Sequence, residues 1–132
     1  MVFMDRNVIK QKSFSFAIRI VRLNQFLCAE KKEFVISKQL LRSGTSIGAN
    51  VYESGRAVSL KDFANKIAIA QKEADETLYW IELLYGTNYL SYKQYVSIRD
   101  DCVELIKILM AISRTISQKN SMVKDPDESS KT

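Results

Sequence analysis

The chain has 132 residues, 46% of them hydrophobic, with four glycines, one proline and a formal net charge of +5. A chain of that length makes one domain burying about two-thirds of its unfolded surface, and so few turn residues exclude an architecture of many short strands. It holds no histidine, which removes the commonest general base and metal ligand, and no run of about 18 apolar residues that would span a bilayer.

The first periodic segment runs over about residues 7–29. Phe16, Ile20, Leu23 and Leu27 recur at helical spacing, and Phe14, Ala17, Ile18 and Val21 read as a widening of that apolar face. Lys10, Arg19 and Arg22 project elsewhere. After the charged link Glu30-Lys31-Lys32-Glu33, a second helix is expected over about 34–56, with Ile36, Leu40, Ile47 and Val51 as its apolar stripe. Beside them Gln39, Ser43, Ser46, Asn50 and Glu53 follow at steps of 4, 3, 4 and 3, inside an arc of roughly 80°. Serine, asparagine and glycine cost helix propensity, so this polar stripe needs a packing or contact reason. Gly44 and Gly48 remove side chains next to it and permit close helix approach. Three readings are open: a buried polar network or subunit interface that includes Glu76, with Lys72, Glu73 and Thr77 as further partners; a partner-binding surface; or a small-molecule or catalytic site.

Ser59, three residues before Asp62, predicts the start of a third helix over about 60–85. Phe63, Ile67, Ala70, Ala74, Leu78, Ile81 and Tyr85 trace its core face, and Gly86 is its expected stop. Ile69, Trp80 and Leu83 form a second strip about 120° away, either a subunit interface or the edge of a broad core face. Ser91 and Gln94 make a capping-box pattern for a fourth helix over about 92–118. Its stripe, Tyr95, Ile98, Cys102, Leu105, Leu109, Ile112 and Ile116, alternates steps of 3 and 4 throughout. Residues 119–132 lack periodicity and are expected to be a disordered tail. Four such helices with short links predict an all-α, up-down-up-down antiparallel four-helix bundle with left-handed packing over residues 1–118.

The charge is unevenly placed. Residues 6–61 hold eleven bases against three acids, whereas residues 62–132 hold nine bases against eleven acids. Lys10, Lys12, Arg19, Arg22, Lys38, Arg42 and Arg56 are the candidate nucleic-acid contacts, since a phosphate backbone needs only placed cations. Two other readings stand beside that one: the basic helices of one subunit meet the acidic third helix of the next and close a ring, or the cations simply solvate the bundle. No zinc finger, helix-turn-helix or aromatic-glycine single-strand motif is present, so any binding would be to backbone or shape, with Kd on the order of 10⁻⁴ to 10⁻⁶ M. Glu73 and Glu76 resemble half of a helical carboxylate cluster, but its histidine partners are missing. No catalysis, cofactor, metal or small-molecule substrate is expected. Cys28 and Cys102 read as reduced core thiols, and Met1 to Arg6 lacks the apolar core of a signal peptide. A cytoplasmic, membrane-free protein is the expectation.

The order Ser37-Lys-Gln39-Leu-Leu-Arg42-Ser43-x-x-Ser46-Ile47-x-x-Asn50-Val-x-Glu53, then Asp62-Phe63, then Ile69-Ala70-x-Lys72-Glu73-Ala74-x-Glu76-Thr77-x-x-Trp80, resembles the four-helix-bundle family of 23S ribosomal-RNA intervening-sequence proteins, which are labelled ribosomal-protein-like. The likeness spans about residues 7–118 and specifies a fold but no reaction. Related bundles include the accessory proteins of diversity-generating retroelements, pentameric barrels with basic surfaces that bind nucleic acid and a reverse transcriptase. The resemblance therefore implies a homopentamer as the first expectation for assembly. After Glu53 this chain reads Ser-Gly-Arg-Ala-Val, where many relatives carry further bases, which implies a weaker binder. Together these point to a non-enzymatic, self-assembling accessory protein that contacts RNA or a ribonucleoprotein. The alternative is a structural or adaptor oligomer whose partner is another protein.

Overall fold

The periodic segments form four helices, α1 (Val2–Ala29), α2 (Ile36–Ser54), α3 (Leu60–Gly86) and α4 (Tyr92–Lys131). This computed structural model describes the backbone of residues 2–131 and the side chains of residues 7–121, and no strand occurs among the described residues. Local chemistry sets the boundaries. The Ser59 hydroxyl accepts from the Asp62 amide at 3.0 Å and starts α3. Ser91 and Gln94 form the full reciprocal box that starts α4, at 2.9 and 3.1 Å.

Several boundaries differ from the sequence expectation: α1 already starts at Val2, α2 ends at Ser54 and α4 continues to Lys131. α2 starts at Ile36, not near residue 34, because the buried Glu33 carboxylate caps it from the link, accepting from the amides of Val35, Ile36 and Ser37. At the end of α3 the left-handed residue is Asn88 (φ 70°), not Gly86, and its amide returns to the Tyr85 carbonyl at 3.0 Å. The expected tail over 119–132 lies at the end of α4, and from residue 122 onward its side chains lie outside the described residues.

Each helix packs on two neighbours, α1 on α2 and α4, and α3 on α2 and α4. Side-chain pairs fix the antiparallel registers. Asn24 meets Ser37 while Gly48 meets Ser13; Arg42 meets Glu73 while Glu53 meets Lys66; Tyr95 meets Glu82 while Ser113 meets Gln71. This is the all-α up-and-down four-helix bundle.

The core is a single column. All seven stripe residues of α4 are buried, against Phe16, Ile20 and Leu27 of α1, Leu40, Ile47 and Val51 of α2, and Ile67, Ile81 and Leu84 of α3. Each fully buried aliphatic or aromatic side chain contributes about 1.5–3 kcal/mol. Gly44 brings α1 and α2 together: a Cβ there would lie 2.8 Å from both γ-carbons of Ile20. One expectation is corrected. Phe14, Ile18 and Val21 do not widen the core face of α1; they are 68%, 40% and 39% exposed. The close approach of α2 gives that core room for only one stripe, and the second faces out beside α2.

Candidate nucleic-acid interface

The seven candidate cations divide into two groups. Lys12 pairs with Glu104 at 3.3 Å and Arg19 with Asp101 at 2.5 Å, both across the α1–α4 seam. Arg42 pairs with Glu73 at 3.0 Å and also with Glu76, across the α2–α3 seam. The Glu73 side chain is only 11% exposed, so removing Arg42 would strand a nearly buried carboxylate. These three cations are engaged in ion pairs across the helix seams.

The other four have no ion-pair partner among the described residues. Arg22 and Lys38 are simply exposed. Lys10 and Arg56 converge on one ring: the Lys10 ammonium lies 5.4 Å and the Arg56 guanidinium 5.3 Å from the centre of Tyr52, whose hydroxyl also meets Arg56 at 3.1 Å. Lys10, Lys38 and Arg56 lie on the α1–α2 face, whereas Arg22 lies on the outer side of α1 toward α4, beside Lys93, Gln94 and Ser97. Lys10 and Arg56 stand where residue 10 meets residue 52, and Lys38 follows Ser37, whose carbonyl meets Asn24. Residues 7–61 contain only three acids. Glu33 is turned into its cap, Glu53 bonds Lys66 at 2.8 Å toward α3, and Glu30 lies in the link. Lys66 is correspondingly raised above the ordinary lysine range by its hydrogen bond and attraction to Glu53. The α1–α2 face thus carries unneutralised positive charge.

Beside Lys10 runs an apolar groove of about 460 Å³, lined by Phe14 and Tyr52 with the smaller Ala17, Thr45, Gly48 and Ala49. Sequence reasoning missed this groove. Its signal was the second apolar stripe of α1, assigned to the core.

The polar stripe of α2 faces α3. Ser43 is fully buried, and its hydroxyl meets that of Thr77 at 2.9 Å. Ser46 and Asn50 are half-buried and bond back along their own helix, to the carbonyls of Arg42 at 2.6 Å and Ser46 at 2.8 Å. Gln39 and Glu53 are exposed, and Glu76 is half-buried against Arg42. In this single chain Ser43, Glu73, Glu76 and Thr77 come together across the seam, whereas Gln39 and Lys72 do not join them. Ile69, Trp80 and Leu83 are half-buried. Ile69 and Trp80 share the helical flank of Lys66, Glu73 and Glu76, so both features named from the sequence border the α2–α3 seam.

Cys28 and Cys102 are free thiols. Burial pushes the Cys102 thiol from an ordinary 9.0 up to about 12, helped by the nearby charges of Asp75 and Asp101, which leaves it a poor nucleophile. Among the described residues no group of three or more Cys, Asp or Glu could hold a metal ion, and no helix is long and apolar enough to cross a membrane.

Residues 5–111 match the family described as 23S rRNA-intervening sequence protein. A solved structure from Bacteroides thetaiotaomicron, described as a protein of unknown function from the S23 ribosomal protein family, is 55% identical with a TM-score of 0.82. The alignment covers 83% of this chain and 98% of that one. Among curated proteins no relative matches.

Proposed function

The chain belongs to the 23S rRNA-intervening sequence protein family, and from that membership we propose that it is a non-enzymatic, cytoplasmic accessory protein that contacts RNA, alone or in a ribonucleoprotein, through its α1–α2 face. The observation that carries this reading is the separation of cations into paired and unpaired sets. Lys10, Lys38 and Arg56 lie on the α1–α2 face and Arg22 on the outer side of α1, all without an ion-pair partner among the described residues, and an exposed cation of this kind is available to phosphate. Lys12, Arg19 and Arg42 are secondary candidates. The exposed Lys12 and Arg19 pairs are worth about 0–1 kcal/mol, so phosphate competes for them readily, while Arg42 is tied to nearly buried Glu73.

The test is a titration of labelled structured RNA with two variants. Reversal of the four unpaired cations (Lys10→Glu, Arg22→Glu, Lys38→Glu, Arg56→Glu) should weaken binding at least ten-fold with the helix content unchanged. The pair Lys12→Gln and Arg19→Gln should weaken it less than three-fold. Equal losses in the two variants would contradict the assignment of the face.

A second reading draws on the exposure of Phe14, Ile18 and Val21, since an apolar strip of this kind also suits a protein partner. In it the chain is a structural or adaptor oligomer, with the homopentamer of related bundles as first expectation, and the polar stripe or Ile69, Trp80 and Leu83 as further interface. Light scattering separates the readings. A larger mass that collapses to the monomer in Phe14→Ser, with no RNA affinity at low salt, would favour the adaptor.

A further inference from the structure

We propose that the α1–α2 groove is a stacking site for unpaired bases, so that the nucleic acid this face takes is a single strand and not a duplex. The inference rests on the RNA reading above and specifies its ligand. A duplex presents only phosphate and sugar to a flat basic face and gains nothing from an apolar groove. A single strand can place its phosphates on cations and its bases on aromatic rings at the same time.

The groove has both parts in register. Its aromatic walls, Phe14 and Tyr52, are 68% and 52% exposed, unlike the aromatic residues of the core. Its base is made of small side chains, Ala17, Gly48 and Ala49, so a flat ring is not excluded by branched neighbours. A space of about 460 Å³ lies within the range of sites that take one small ligand. Lys10 and Arg56 stand at one end beside Tyr52, and Lys38 is exposed further back along α2. Residues 38 and 52 are separated by roughly 21 Å along α2 at helical rise, so a strand that leaves the groove along α2 reaches a further cation. Among the described residues no acid lines the groove: the three acids of residues 7–61 are the cap Glu33, the Lys66 partner Glu53 and the link residue Glu30. Charge complementarity thus favours a polyanion as the occupant.

The experiment uses fluorescence anisotropy with the full chain and two labelled strands of equal charge, about eight nucleotides long: an oligoadenylate RNA and its abasic counterpart. Wild type should bind the base-bearing strand about ten-fold or more tighter than the abasic one. Phe14→Ser and Tyr52→Ser should each shrink that ratio toward one while leaving abasic binding within about two-fold, and Tyr52→Phe should restore it. Both side chains are largely exposed, so these variants should keep the fold, checked by helix content. Equal wild-type affinity for the two strands would overturn the stacking site and leave the phosphate contact standing. Binding of neither strand, with structured RNA also unbound, would remove the RNA reading together with this one. A duplex competing as well as the oligoadenylate would overturn it too. So would a wild-type oligomer that falls to monomer in Phe14→Ser, because the groove would then hold a second copy.

Discussion

Glu33 sits in a link of four charged residues, where a solvated side chain is the ordinary outcome. Instead its carboxylate is buried and collects three amides at the start of α2, and the Ser37 hydroxyl donates back to its carbonyl at 2.8 Å. Its position two residues before the N-cap Val35 matches no common capping pattern, so nothing in the sequence marked it. Glu33→Ala should cost about 1–2 kcal/mol, read as a lower urea midpoint with unchanged m. The thiol of Cys102 gives a second test at this scale. Its proton is held to about 12 in the folded chain against an ordinary 9.0. The unfolded chain therefore loses this proton first as pH rises, and stability falls between about pH 9 and 12 while showing no contribution below 9. The thermal midpoint of Cys102→Ala should lie lower at neutral pH but decline less steeply across that window. Ellman's reagent should leave Cys102 unmodified in the native protein at pH 8.

At the scale of the helix, periodicity gave the four elements well but could not choose between adjacent stripes. α4 has one clean stripe, and all of it is buried. α1 has two, and apolar character alone does not say which one a neighbour covers. The missing information is the approach distance to α2, set by Gly44 against Ile20 and Gly48 against the Ser13 carbonyl. An ordinary helix interior gains about 1 kcal/mol from Gly→Ala. Gly44→Ala should reverse that sign and cost about 1–3 kcal/mol, because its Cβ would meet two γ-carbons at 2.8 Å. The penalty should shrink in an Ile20→Ala background, a coupling that a double-mutant cycle in urea would measure. Equal penalties in both backgrounds would mean that the glycine serves the backbone alone. The Ser43–Thr77 pair was not singled out by the pattern, because each hydroxyl also bonds a carbonyl of its own helix, Leu40 and Glu73.

For the molecule as a whole, the sequence disclosed an uneven charge but not its division into structural and available cations. Which acid each base meets depends on helix register, and a one-turn slip would pair Arg42 with other residues. The observed registers place Lys12, Arg19 and Arg42 on the seams of the bundle and leave Lys10, Lys38 and Arg56 on the face with the apolar groove and Arg22 unpaired on the outer side of α1. The polar stripe bears on assembly in the same way: among the described residues the Asn50 side chain bonds only its own helix, so Asn50→Leu should leave the monomer fold intact and change the mass in solution only where that flank joins another copy. The most direct check on the central claim is the salt dependence of binding to single-stranded RNA. Four phosphate contacts imply a log–log slope near −3, at about −0.7 per contact. Reversal of the four unpaired cations should flatten the slope toward zero. A slope that is flat in the wild type, or unchanged by the reversal, would contradict the account.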